Sequence, residues 1–299
     1  MKRIGRKLLR GVRCLLTSIS PALNTRFNYF LAHRRWLHLN PPRTFEEKLL
    51  WLKLRDYNSN PLVARCADKY CVRDYVQEKG CAAMLNTLLG AYDTVEEIPW
   101  DALPERFVLK WNFGCGMNLI VHDKSKLDIA QATEKLRRWG KSKYWLPFAE
   151  MQYKDTPKKL LCEAFLEDNA QGKSLTDYKV YCFHGEPLVT AVFSERGTAL
   201  KVDFFDQQWR ALPNTTIYPS PEEPVKRPAC LEEMLETARK LSAPFPFVRC
   251  DFYVVDGQPV FGEMTFTPAG GLYVVKTTLD GKDLSDLLHI PAERKAESK

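Results

Sequence analysis

Two carboxylates flank an Asp256–Gly257 dipeptide: Asp251 lies upstream and Glu263 downstream, in the run from Val248 to Phe266. β-Branched and aromatic residues fill both flanks, and Asp-Gly between such runs is a strong hairpin signal. Carboxylates on paired strands can meet at one hard cation, because such ions prefer oxygen ligands. Register decides whether they do. A strict two-residue loop would pair Asp251 with Gly262 and turn Glu263 to the other face. A three-residue loop, Asp256-Gly257-Gln258, or a bulge would set Asp251 opposite Glu263, with Thr265 two residues on. The longer loop or a bulge is therefore predicted. Taken alone, the same pattern also describes a solvated hairpin face carrying scattered acids.

Other residues carry complementary chemistry. Phe107–Trp111 reads as a strand that brings Lys110 to a loop containing Gly114 and Gly116. Glycines let backbone N–H groups approach phosphate oxygens, and a lysine supplies a point charge. The loop is neither GxxxxGK[ST] nor a GxGxxG that opens a helix, so the P-loop and dinucleotide readings fail. Glu163 lies in an apolar run, and Lys179 sits in the middle of an aromatic and β-branched strand. Each must point outward, pair, or reach a ligand. The chain has no GxSxG, no HExxH and no CxxC, which leaves hydrolase and zinc chemistry little support. In chain order the parts are a loop lysine, Glu163, Lys179 and two hairpin carboxylates. They suit the holding of a nucleotide and its magnesium ions.

The elements that must position these residues divide unevenly. Residues 1–43 carry ten Lys/Arg and no Asp or Glu, whereas the remainder carries 34 basic against 37 acidic residues. The net charge of +7 thus belongs to an arm. Within it, Ile4, Leu8, Val12, Leu15, Leu16 and Ile19 recur at helical spacing among lysines and arginines, giving a basic amphipathic helix over 2–19. Such a helix suits an anionic membrane surface, packing on its own protein, or a disordered tail. Because the basic excess stops at Arg43, no nucleic-acid partner is expected for the body. Thr44 and Glu47 form a capping box for the next helix, and Pro61 to Lys79 reads as one further helix. Strands dominate after that. Nine cysteines without metal spacing or a convincing secretion signal fit reduced thiols in a cytoplasmic protein. That protein could sit peripherally on the inner face of the membrane.

From Thr44 to Gly271 the sequence resembles the ATP-grasp superfamily, and more closely its teichuronopeptide-biosynthesis (TupA-like) group. The resemblance is carried by Phe45-Glu46-Glu47-Lys48-Leu49-Leu50-Trp51-Leu52-Lys53, Asp68-Lys69-Tyr70, Phe107–Lys110, the Gly114/Gly116 loop, Asp177-Tyr178-Lys179, Phe245–Asp251 and Gly262–Phe266. It implies an α+β ATP-grasp fold, two α+β subdomains gripping ATP, with the basic helical arm in front. The expected divisions are the arm 1–43, a helical pre-grasp region 44–100, a glycine-loop subdomain 101–170, a metal-hairpin subdomain 171–275 and a tail 276–299. ATP and Mg2+ are the implied cofactors. Lys69 and Lys110 would contact phosphates below Gly114 and Gly116. Glu163 would lie at the adenine or ribose hinge, with Ala164, Phe165 and Leu166 lining the adenine slot, and Lys179 would face the nucleotide. Asp251 and Glu263 would bind magnesium, with Thr265 where the superfamily often has Asn. Arg249 would steady the transferring phosphoryl group. Arg196 is either the group that binds the acceptor carboxylate or oxyanion, or one half of a surface ion pair with Glu195. The expected reaction joins an amine to a carboxylate through an acyl phosphate. By family context the substrates are an amino acid and a uronic-acid glycan or peptide of bacterial capsule or cell-surface polysaccharide biosynthesis. A phosphotransferase using the same site and a non-catalytic nucleotide or surface-binding module are the competing readings.

Overall fold

A computed structural model describes residues 2–167, 175–195, 200–272 and 276–290. Two antiparallel sheets organise it. The first has the order β1-β4-β2-β3, from β1 (Leu88–Tyr92), β2 (Phe107–Trp111), β3 (Asn118–Val121) and β4 (Leu160–Ala164). The second has the order β10-β9-β5-β6-β7-β8, from β5 (Asp177–Phe183), β6 (Glu186–Ser194), β7 (Lys201–Phe205), β8 (Ala211–Leu212), β9 (Phe247–Val255) and β10 (Gln258–Thr265). Each sheet has its own apolar layer. Phe107, Leu109, Trp111, Leu160 and Cys162 pack with Leu136 of α6 (Ile129–Gly140), and Trp111 donates its indole N–H to the Leu136 carbonyl at 3.0 Å. On the larger sheet, Val180, Cys182, Phe247 and Cys250 pack with Met234, Ala238 and Leu241 of α7 (Leu231–Ser242).

Three of the helices before the sheets start where the sequence expects them to, one of these stops sooner, and the helix over Pro21–His33 is one it does not predict. α1 spans Lys2–Ile19 and α2 spans Pro21–His33. α3 (Phe45–Leu52) opens with both halves of the Thr44/Glu47 capping box and continues as a wider turn over Lys53–Tyr57. The single helix expected over 61–79 is two, α4 (Pro61–Ala67) and α5 (Cys71–Glu78). The break is made by Asp68. Its Oδ1 accepts from the Tyr70 and Cys71 backbone N–H groups at 2.7 and 3.1 Å, and its Oδ2 accepts from Asn112 Nδ2 at 2.7 Å. Those bonds offer the backbone an alternative to continued helix. Lys69 is thereby pulled out of the helical ladder, and its N–H donates to the Asn112 carbonyl at 2.9 Å.

The predicted hairpin forms between β9 and β10. Its turn is the two-residue loop, with Asp256 and Gly257 both at positive φ (49° and 77°), as a type I′ turn requires. The alignment of the acids comes from a bulge instead of a longer loop. Phe261 pairs with Phe252, Gly262 is skipped, and Glu263 pairs with Asp251. All nine cysteines are free thiols. Among the described residues no helix is long and apolar enough to cross a membrane.

Candidate functional site

The bulge produces a face on which charges converge. Asp251 is paired in register with Glu263 on one side and with Lys179 of β5 on the other. Lys179 Nζ lies 2.5 Å from Asp251 Oδ2. Arg249, two residues earlier on the same strand, grips the same carboxylate with Nε on Oδ1 and Nη2 on Oδ2, both at 2.6 Å. Its Nη2 also donates to Thr265 Oγ1 at 3.1 Å, and that hydroxyl donates to Glu263 Oε1 at 3.1 Å. Lys69 completes the group, with Nζ 3.4 Å from Glu263 Oε2 and a hydrogen bond to the Gly114 carbonyl. The helix break at Asp68 therefore ties the glycine loop to the hairpin.

Three cations, Lys69, Lys179 and Arg249, thus surround two carboxylates. The electrostatic consequence is clearest at Glu263. Burial alone would raise its carboxyl, but Lys69, then Arg249 and Lys179, and the Thr265 hydroxyl outweigh burial and hold it down at about 2. Arg249 moves the other way: although burial opposes its charge, Asp251 drives its pKa above the usual guanidinium value. The glycine loop is shaped for close approach at one position. Gly114 has φ +69°, and a Cβ there would stand 2.5 Å from the Tyr144 ring.

A second ion-pair group stands on the smaller sheet. Lys110 Nζ lies 2.7 Å from Glu163 Oε2, and Arg73 of α5 lies 3.8 Å from Glu163 Oε1 while donating to the Asn86 carbonyl at 2.8 Å. Lys69 and Arg73 both belong to the stretch around the start of α5, so one short segment serves both groups. Counting the two together, five cations face three carboxylates. Sequence reasoning missed Arg73, whose signal was its position four residues after Lys69. It also missed Asn112, which is fully buried and holds Asp68, Lys69 and the Lys159 N–H together.

Not every expected residue joins these groups. The Ala164 N–H donates to the Thr87 carbonyl at 3.0 Å, and its carbonyl accepts from Asn86 Nδ2 at 2.9 Å. Phe165 has ring contacts with His122, at 4.9 Å between centroids, and with the Arg106 guanidinium at 5.0 Å. Leu166 is half-buried beyond the end of β4. Arg196 lies outside the described residues.

The profile of the TupA-like ATP-grasp family matches residues 47–286. No curated protein matches the chain. Among solved structures, the chain is similar to D-alanine–D-alanine ligase from Bacillus anthracis (17% identity, TM-score 0.42, 68% of this chain and 57% of that one). It is also similar to L-amino acid ligase from Bacillus licheniformis (15%, 0.40, 70% and 48%). A third is the ATP-grasp ligase PsnB complexed with minimal precursor (12%, 0.42, 78% and 62%). The chain spans about half the length of these structures.

The donor set at the hairpin fits Mg2+ of a nucleotide better than a cation held by protein alone. Asp251, Glu263 and Thr265 offer oxygen only, and among the described residues no three His, Cys, Asp or Glu side chains gather as a metal site. Mg2+ is commonly held by one or two carboxylates, with phosphates and water supplying the rest. Arg249 and Lys179 now occupy the Asp251 oxygens. An incoming polyphosphate would give those cations a new partner and release the carboxylate.

Proposed function

Because the chain belongs to the TupA-like ATP-grasp family, whose cofactors are ATP and Mg2+, we propose that it is an ATP-dependent carboxylate–amine ligase. The observation that carries the reading is the excess of buried cations over carboxylates on one face, beside a glycine loop. Such a field is matched by a polyphosphate anion. In this reading ATP lies between residues 101–170 and 171–275. Lys69 and Lys110 hold phosphate oxygens, with Gly114 and Gly116 above. Lys179 and Arg249 neutralise the phosphoryl group in flight, and Asp251 and Glu263, with Thr265, hold the metal. Glu163, paired with Lys110 and Arg73, receives ribose hydroxyls, and Ala164–Leu166 borders the base. The metal ion, when bound, would supply positive charge that offsets that of the phosphates.

The substrate carboxylate takes the γ-phosphoryl group, giving an acyl phosphate and ADP. An amine nitrogen then attacks the acyl carbon, phosphate leaves, and the amide remains. No side-chain nucleophile is needed, so positioning and charge stabilisation do the protein's share. Arg196 is assigned to the acceptor carboxylate or the tetrahedral oxyanion. The substrates are an amino acid and a uronic-acid glycan or peptide of capsule or cell-surface polysaccharide synthesis. The setting is cytoplasmic, with residues 1–43 toward an anionic membrane surface. An ADP-release screen over amino acids and uronic-acid acceptors tests this. ADP release that requires both an amine and a carboxylate, with amide product, supports ligation. A phosphorylated hydroxyl formed with no amine present replaces ligation with phosphotransfer, and failure to bind Mg-ATP leaves only a binding module.

A further inference from the structure

The two sides of α1 have different surroundings. On one side, Thr17 is buried and donates its hydroxyl to the Leu146 carbonyl at 2.6 Å. Asn24 of α2 donates to Thr17 Oγ1 and to the Pro147 carbonyl, at 2.6 and 3.1 Å, and the Arg13 guanidinium lies 4.9 Å from the centre of the Phe148 ring. The helix is therefore seated on the body. On the other side Leu8, Val12, Leu15 and Ile19 are exposed by 70, 37, 63 and 67%. At 100° per residue these four fall within a stripe of about 60°, roughly opposite Thr17. An exposed aliphatic stripe of this kind marks a contact surface.

The charge of the arm selects the partner. Arg6 and Arg10 are exposed on the polar side of the same helix and Lys7 on its flank, the pattern of an interfacial helix, and residues 1–43 contain no acidic residue. A bilayer with anionic headgroups offers both an apolar layer and the opposite charge. We propose that α1 is an interfacial helix that rests on an anionic bilayer through Leu8, Val12, Leu15 and Ile19, while Thr17 and Arg13 hold the body to its upper side. This deepens the placement of residues 1–43 proposed above and rests on it. It stands apart from the ligase chemistry.

The test is co-sedimentation of the full chain with vesicles of phosphatidylglycerol and phosphatidylcholine, against phosphatidylcholine alone. The comparison variant is Leu8→Glu/Leu15→Glu. Both positions are solvent-facing, so the variant keeps the wild-type melting temperature and Mg-ATP binding. The wild type is expected to pellet with the anionic vesicles and to be released by high salt, with the variant at least about tenfold weaker. Equal pelleting of variant and wild type overturns the proposal. So does a wild-type dimer that the variant disperses without any vesicle binding, which assigns the stripe to a second copy. Mg-ATP binding on the same samples separates the two readings: vesicle binding without nucleotide binding counts against the ligase alone, and the converse against the interfacial helix alone.

Discussion

The hairpin cluster and the buried residues Lys53 and Glu150 handle charge in opposite ways. Lys53 and Glu150 are 1% and 6% exposed. Burial pushes Lys53 down to about 8, with Glu150 offsetting only part of that, and burial raises Glu150 despite Lys53 and the Thr267 hydroxyl. Both groups are driven toward neutrality, and their polar atoms are used internally: Lys53 donates to the Phe148 carbonyl, and Thr267 donates to Glu150 at 2.8 Å. At the hairpin the carboxyl of Glu263 is driven the other way, to about 2, because its positive neighbours outweigh its burial. The Glu263 side chain is also 30% exposed. One cation with one anion in a sealed place suits architecture. Three cations around two anions, one of them partly exposed, suit an incoming anion.

The largest effect expected is on stability at the sealed pair. Lys53→Met removes the buried donor to the Phe148 carbonyl and the positive neighbour of Glu150, and is expected to cost about 3 kcal/mol in urea unfolding, with Mg-ATP affinity of the folded protein retained. A loss of nucleotide binding at full stability would erase the distinction between the two places. At the hairpin, Asp251→Asn and Glu263→Gln are each expected to lower kcat by about 10²-fold or more, as removal of a preorganised charge-stabilising group does. Normal ADP release in both would end the metal assignment.

Gly262→Ala tests the bulge itself. A Cβ there would stand 3.1 Å from the Asp251 carbonyl oxygen and 3.3 Å from the Tyr253 ring. The expected cost is about 1–3 kcal/mol, seen as a lower urea midpoint together with weaker Mg-ATP binding. Unchanged nucleotide binding would show that the alignment of Asp251 with Glu263 is dispensable. A further effect appears only on the acid limb. Glu263 goes from 4.5 when unfolded to about 2 when folded, so its contribution is fully present above about 4.5 and is lost as pH falls through about 2. The stability difference between wild type and Glu263→Gln should shrink over that window, and Lys69→Met should raise the Glu263 pKa. A pH-independent difference would contradict the charge account.

Much of this site was legible in the residues. The Asp-Gly turn, the two acids, Lys110 and Lys179 follow from local pattern and Arg249 from the resemblance, and the structure brings these acids and cations into the two ion-pair groups. What local pattern could not choose was how the acids align. A longer loop and a bulge satisfied it equally, and the choice rests on Gly262, whose missing side chain lets β10 close on the Asp251 carbonyl. The break between α4 and α5 was hidden for a related reason. The apolar spacing of 61–79 continues through Asp68, and the bond that interrupts it comes from Asn112, 44 residues away in sequence. Arg73 escaped notice because its partner, Glu163, stands on a distant strand. The pattern of the arm allows a helix on lipid, a helix packed on its own body, or a disordered tail. Thr17 and Leu15 show that its two sides differ.

The central claim is that the charge-surplus face beside Gly114 receives Mg-ATP. Isothermal titration of the full chain with ATP, with and without Mg2+, tests it most directly when repeated on Asp251→Asn and Glu263→Gln. The account predicts one ATP bound per chain with Mg2+ present, and loss of the Mg2+ dependence in both variants, each shown to be folded at the temperature of the titration. ATP binding that is absent from the wild type, or unchanged in both variants, would contradict it.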